Sequence, residues 1–273
     1  MKQTANGNIS DHKRDGCALV TGASRGIGAA IARTLAADGW AVALNYSSDA
    51  DGAAGVAEEI AAAGGRAMPV QADVADPAAV DEMFGTIEQE LGTVLVLVNN
   101  AGIRHDRLLG GLDTERWLRV IDVNLNGTFH TMKRAIGPMV RRRYGRIVNI
   151  SSISATRTLP GQSAYAASKA AVEALTRTSA IEFARRNVTI NSVAPGLVAT
   201  GFVRELKEDW AGSLPARRIA QPEEVARCVR FLTSEDAAYV SGALLTVDGA
   251  LSAGLGVLSP GSRPGAKAKS GNE

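Results

Sequence analysis

Seven short apolar runs recur along this chain, each separated from the next by a longer segment with helical spacing. That alternation limits the fold more than any other feature. The runs are CALVTG (17–22), AVALNY (41–46), AMPVQADV (67–74), VLVLV (94–98), RIVNIS (146–151), VTINSVAP (188–195) and LLTVDG (244–249). Several are apolar on successive residues, as strands covered on both faces are. Helical spacing fills 26–38, 50–63, 77–91, 114–143, 163–186 and 222–234. Asp76-Pro77 and Gln221-Pro222 each put a proline at a first helical position, where the missing N–H is not needed. Strict β/α alternation predicts an α/β fold: a single Rossmann-type domain whose doubly wound parallel sheet of about seven strands carries helices on both faces.

The domain is expected over 16–253. Residues 1–15 are polar and aperiodic and are expected to form a disordered leader; residues 254–273, rich in Pro, Gly, Ser and Lys, a flexible tail. The net charge of +2 resides in these ends, +1 over 1–15 and +2 over 254–273, which leaves the body near −1. A neutral body argues against nucleic acid as a partner. Cys17 and Cys228 have no metal-ligand spacing and lie in apolar stretches, so reduced, buried thiols and no metal site are expected. No apolar run approaches the ~18 residues of a membrane span, so a cytoplasmic protein without a membrane partner is expected.

The first run leads into TGASRGIG (21–28), with Gly22, Gly26 and Gly28 at a strand-to-helix turn. Glycines there allow a tight turn and close backbone approach to a pyrophosphate, and the helix N-terminus behind it favours an anion. A turn that binds nothing is the alternative. The second run ends LNYSS, with no carboxylate before Asp49. An acid at that place normally accepts the ribose 2′-hydroxyl of NAD. Its absence, with Arg25 able to pair with a 2′-phosphate and Ser47 and Ser48 able to donate hydrogen bonds, favours NADPH. Arg25 as a solvated surface residue is the competing account.

Polar residues gather at the carboxyl ends of later runs, where open α/β sheets bind ligands. NNAG (99–102) follows the fourth and Ser151-Ser152 closes the fifth. Tyr165 and Lys169 stand at i and i+4 on the next helix and so share a face. Asn124 lies among apolar residues inside a helical segment, and a buried amide needs partners whether it is core or functional.

TGASRGIG, NNAG, Asn124, Ser152, YAASK and Pro195-Gly196 resemble, in order and approximate spacing, the motifs of the short-chain dehydrogenase/reductases over roughly 16–250. Within that family the chain looks most like the bacterial 3-oxoacyl-[acyl-carrier-protein] reductases, through GRIVNISS, APGLVATGF and the NADPH-type turn. The resemblance implies a catalytic tetrad of Asn124, Ser152, Tyr165 and Lys169. Ser152 is taken over Ser151 because it lies 13 residues before the tyrosine. Reducing a ketone needs a hydride on carbon and a proton on oxygen. A phenol with a pKa of ~10 is a reluctant donor. A lysine cation at ~4 Å is worth roughly 4 kcal/mol at an effective dielectric of ~20, or at most about three pKa units. Near neutrality is thus the lower limit for Tyr165, since burial of the pair opposes part of the shift. The resemblance implies Ser152 on the substrate oxygen, Lys169 also on the nicotinamide ribose, and Asn124 holding a water that links Lys169 to solvent.

The same resemblance implies cofactor contacts at Gly22, Ser24, Arg25, Gly26, Ile27, Gly28, Ser47, Asn100, Ala101, Gly102, Tyr165 and Lys169. Asp73 and Val74 would line the adenine pocket; Pro195, Gly196, Val198 and Thr200 would border the nicotinamide. Residues 197–218 would form a mobile substrate lid, though ATGF departs from the acid-containing form frequent in carrier-protein reductases, and VDGAL replaces a more usual double glycine. Arg143 and Arg186 match the positions that dock an acidic acyl-carrier protein, beside the active-site mouth; complementing helix C-termini is their other reading. The expected function is reduction of an acyl-carrier-linked 3-oxoacyl thioester by a homotetramer. A dehydrogenase of a free small alcohol, sugar or cyclic ketone is the alternative. A non-catalytic cofactor sensor would keep the turn and lose the acid, and all four tetrad positions are filled here.

Overall fold

The computed structural model describes His12 and residues 15–201, 211–212 and 214–254. The expected tail beyond residue 254, the leader apart from His12 and Asp15, and much of the expected lid lie outside the described residues. Strands form at the seven apolar runs: β1 (Gly16–Val20), β2 (Ala41–Tyr46), β3 (Ala67–Gln71), β4 (Thr93–Asn99), β5 (Gly145–Ile150), β6 (Val188–Pro195) and β7 (Leu244–Val247). All pair in parallel, in the order β3-β2-β1-β4-β5-β6-β7. Winding changes direction between β1 and β4, which is where an open α/β sheet leaves a crevice for a ligand.

Among the described residues seven α-helices cover the sheet: α1 (Gly26–Ala37), α2 (Ala50–Ala62), α3 (Pro77–Glu90), α4 (Thr114–Ile121), α5 (Gly127–Arg142), α6 (Ser163–Phe183) and α7 (Pro222–Thr233). Successive strand residues enter opposite cores. Ala18 and Val20 pack with α1, α2 and α7, whereas Cys17 and Leu19 pack with α3, α5 and α6. Every residue of β1, β5 and β6 is accordingly buried, β2 and β4 are open only at end residues, and the edge strands β3 and β7 are the most open. Asp49, Asp76 and Asp113 cap α2, α3 and α4 by accepting from backbone N–H groups. No helix among the described residues is long and apolar enough to cross a membrane.

One element differs from the sequence reading. The segment 114–143 is not a single helix: a turn of π-helix, Asp122–Asn126, separates α4 from α5. The fully buried Asn124 sits in it. The wider turn re-aims that side chain, whose carboxamide takes up the backbone of Ile103 on both sides.

Candidate active site

The turn from β1 to α1 is shaped by what its glycines exclude. Gly22 has φ +63°, and a side-chain carbon there would lie 2.9 Å from Ala101 Cα. At Gly28 such a carbon would lie 2.2 Å from Gly22 O. Asn100 Nδ2 donates to Thr21 O and Gly22 O, both at 2.9 Å, and Thr21 Oγ1 accepts from Asn100 N and Ala101 N, both at 3.0 Å. These bonds turn the loop carbonyls toward β4. Arg25, the N-cap of α1, makes no side-chain bond to the helix's own N–H groups, which leaves those of the first turn to an anion. This glycine-lined cradle at the switch point, with Ser24 and Ile27 on its rim, fits a dinucleotide pyrophosphate. Gly26 approaches Thr200, where a side-chain carbon would lie 3.2 Å from Thr200 Cγ2. The segment Pro195–Gly196–Val198–Thr200 thus lies beside the turn.

Four polar side chains meet at the same edge of the sheet, Ser152 after β5, Tyr165 and Lys169 on α6 and Asn124 in the π turn. Ser152 Oγ accepts from Ser154 N at 3.1 Å, and its hydroxyl favours the ionised form of the neighbouring Tyr165 phenol. Lys169 is buried; its Nζ donates to Ile150 O at 2.7 Å and lies 5.8 Å from the Tyr165 ring centre. Asn124 Oδ1 accepts from Ile103 N at 2.8 Å, while Nδ2 donates to Ile103 O at 2.9 Å and to Ser168 Oγ at 3.0 Å. Ser168 Oγ in turn donates to Tyr165 O at 2.7 Å. Gly102 leaves space between the two amine and amide ends: a side-chain carbon there would lie 3.4 Å from both Lys169 Nζ and Asn124 Oδ1.

Burial dominates the electrostatics of the pair. Burial pushes the Tyr165 phenol above its ordinary pKa, against the Ser152 hydroxyl and the nearby Arg104 guanidinium; Asp106 adds to the rise. Burial also lowers Lys169 to about 8. Burial outweighs the groups that favour the phenolate, so the phenol stays above its ordinary pKa, while the Lys169 ammonium donates to the Ile150 carbonyl. Tyr165 is consequently protonated, and Lys169 largely charged, at pH 7.

Two charged positions are otherwise engaged. Arg25 is 82% exposed and pairs with Asp49 at 3.4 Å, beside the exposed Ser47. Asp73 accepts from Arg119 Nη2 at 2.8 Å and, through its other oxygen, from Ala75 N at 3.0 Å; Val74 is buried next to it. Arg143 and Arg186 are not beside the mouth of this chain's own site. They end α5 and the short 3₁₀ turn after α6, immediately before β5 and β6. Both helices run antiparallel to the strands and return the chain to the opposite sheet edge, roughly 20 Å away along a six-residue strand. A cavity of about 180 Å³ lies at the base of the expected lid, between Leu197, Leu214, Arg218, Val247 and Leu251. In the VDGAL segment Asp248 accepts from Ala250 N and Ser252 N, and Ala250 takes the φ of +69° that a glycine would adopt without strain.

Sequence reasoning did not single out Thr21, Asn45, Ile103, Ser168 or Arg119. Asn45, buried on β2, accepts from Gly22 N and donates to Ala72 O at 3.1 Å, so it ties the phosphate turn to the end of β3. A polar residue inside the apolar run AVALNY was its one signal. The remaining four gain their roles from neighbours far away in the chain.

Comparison with known proteins bears on this geometry. A family model described as enoyl-(acyl carrier protein) reductase matches residues 22–252. A 3-oxoacyl-[acyl-carrier-protein] reductase of Synechocystis is 45% identical over 236 residues, covering 86% of this chain and 96% of its own. A protein of the same name from Pseudomonas aeruginosa is 42% identical over 238 residues, covering 86% and 96%. A solved structure from Agrobacterium tumefaciens, assigned as a gluconate dehydrogenase, superposes with a TM-score of 0.84 at 32% identity, over 89% of this chain and 99% of that one.

Proposed function

This chain belongs to the short-chain dehydrogenase/reductase family of nicotinamide-dependent oxidoreductases, and from that premise we propose that it reduces acyl-carrier-linked 3-oxoacyl thioesters with NADPH. The observation that carries the reading is the meeting of Ser152, Tyr165, Lys169 and Asn124 beside a pyrophosphate cradle, in a chain 45% identical to a reductase of that name. Bound nicotinamide supplies a hydride to the ketone carbon. Tyr165 gives its proton to the ketone oxygen, which the Ser152 hydroxyl also holds. Its raised pKa keeps the phenol loaded at pH 7 and makes the anion left behind costly. The Lys169 cation offsets that cost. The gap at Gly102 admits a small bridging group such as water between Lys169 and Asn124, a route for reprotonation.

Arg25 is the proposed partner of the 2′-phosphate. Its pairing with Asp49 is a surface ion pair, worth about 0–1 kcal/mol, and a doubly charged phosphate replaces it at little cost. Arg143 and Arg186 would reach an active-site mouth only on a neighbouring copy. The resemblance implies a tetramer in which the two long helical segments, 114–143 and 163–186, make one interface, and those segments end at the two arginines.

The test is NADPH oxidation with acetoacetyl thioesters of acyl-carrier protein and coenzyme A, with a 2-enoyl thioester and free ketones in parallel. Turnover on the 3-oxoacyl thioesters, NADPH over NADH, is the expected result; inactivity on all of them defeats the proposal. Tyr165→Phe should still bind NADPH while losing about 10²–10⁴-fold in kcat. The gluconate dehydrogenase neighbour favours a second reading, oxidation of a free polyol or sugar acid. Activity on such alcohols that is indifferent to charge reversal at Arg143 and Arg186 would select it.

A further inference from the structure

The segment after β3 touches a single rod, α4–π turn–α5, at three places. Asp73 Oδ2 accepts from Arg119 Nη2 on α4 at 2.8 Å. Val74 packs against Gly127 so closely that a side-chain carbon there would lie 2.6 Å from Val74 Cγ2. The His130 ring lies in hydrogen-bond contact with Val74 O at 3.2 Å. Between these anchors sits the π turn with Asn124, whose carboxamide holds the Ile103 backbone and Ser168, the neighbour of Lys169. One continuous element therefore joins the two ends of the crevice.

We propose that Arg119 is a positioning residue: through its bond to Asp73 and the π turn that follows it, occupancy of the adenine end of the crevice orders Asn124 and the Ile103 loop at the chemical end. This rests on the reading of Asp73 and Val74 as the adenine pocket. Two physical features give the coupling its direction. The Asp73–Arg119 pair is half-exposed, with side chains 40% and 48% accessible. An adenine ring over it removes water, and an ion pair strengthens as its surroundings lose dielectric screening. The π turn is the compliant link, since its wider ring is a local departure from the α-helical register on either side. An adenine-end ligand then has the differential contact that a coupled change demands.

The experiment divides the cofactor into pieces on the full chain, with 2′,5′-ADP for the adenine end and reduced nicotinamide mononucleotide for the chemical end. Calorimetry measures the affinity of the mononucleotide with and without saturating 2′,5′-ADP. Amide exchange follows residues 122–126 and 103. In the wild type the adenine piece should tighten mononucleotide binding about fivefold or more, the range of ordinary site–site coupling, and slow exchange in the π turn. In Arg119→Ala that factor should fall to near one while each piece still binds alone, and Arg119→Lys, which keeps the charge, should recover part of it. If 2′,5′-ADP fails to bind the wild type, the adenine-pocket reading falls and the proposal with it. If it binds without changing mononucleotide affinity or exchange, the pocket stands and the coupling is refuted. An undiminished factor in Arg119→Ala also refutes it.

Discussion

Lys169 shows how one buried side chain ties chemistry to pH. Burial lowers its pKa to about 8 from an ordinary 10.5, so its charge is present below that pH and lost above it. The Tyr165 phenol, whose pKa burial raises, remains protonated through the same range. Reduction should therefore fall above about pH 8 through loss of the lysine charge. Arg remains charged throughout, so Lys169→Arg should lower kcat yet move that alkaline limb upward; a limb left in place would exclude Lys169 as its origin. Folding responds with the opposite sign. Between about 8 and 10.5 the unfolded chain holds a proton that the folded one has released, so stability rises with pH across that window. Gly102 gives a second residue-scale prediction. A methyl 3.4 Å from Lys169 Nζ and Asn124 Oδ1 is an ordinary contact, so Gly102→Ala should fold normally. By filling the space for a bridging water it should reduce kcat about tenfold, or ~1.4 kcal/mol. Unchanged kcat would remove the reprotonation route proposed above.

At the scale of elements, local signals were accurate where the physics is local. Asp76 accepts from Ala78 N at 2.8 Å and Ala79 N at 3.4 Å, and Pro77 begins α3 behind it. Asp76→Ala should lower stability in urea by about 1 kcal/mol, with Asn recovering most of the loss; no change would show that water caps this helix equally well. The glycine turn and the Tyr165–Lys169 pair were legible for the same reason, since both are set by short-range geometry. The π turn was not. Its spacing reads as helix, and only a buried amide with partners at Ile103 and Ser168 gives it purpose. Thr21 was equally silent, because its partners Asn100 and Ala101 lie 79 and 80 residues away.

Across the whole molecule, seven parallel strands place the turns after β1, β4, β5 and β6 at one edge and the arginine-rich helix ends at the other. The α7–β7 end of the sheet exposes Phe231, Tyr239 and Leu244 next to an edge strand. Apolar surface beside an open edge commonly marks an interface. Sedimentation of the purified protein should show a tetramer, and Phe231→Lys combined with Leu244→Lys should yield smaller species. A wild-type monomer at micromolar concentration would contradict this. The amino-acid sequence by itself determined the alternation of strands and helices, the glycine cradle and the shared face of Tyr165 and Lys169, because periodicity, backbone freedom and i,i+4 spacing act within a few residues. Only the tertiary structure decided the rest: which way the Lys169 ammonium points, how burial sets the Tyr165 proton, what Asn124 holds, and on which edge Arg143 and Arg186 lie. Those depend on desolvation and on contacts made across the sheet, which exist only once distant segments are packed together.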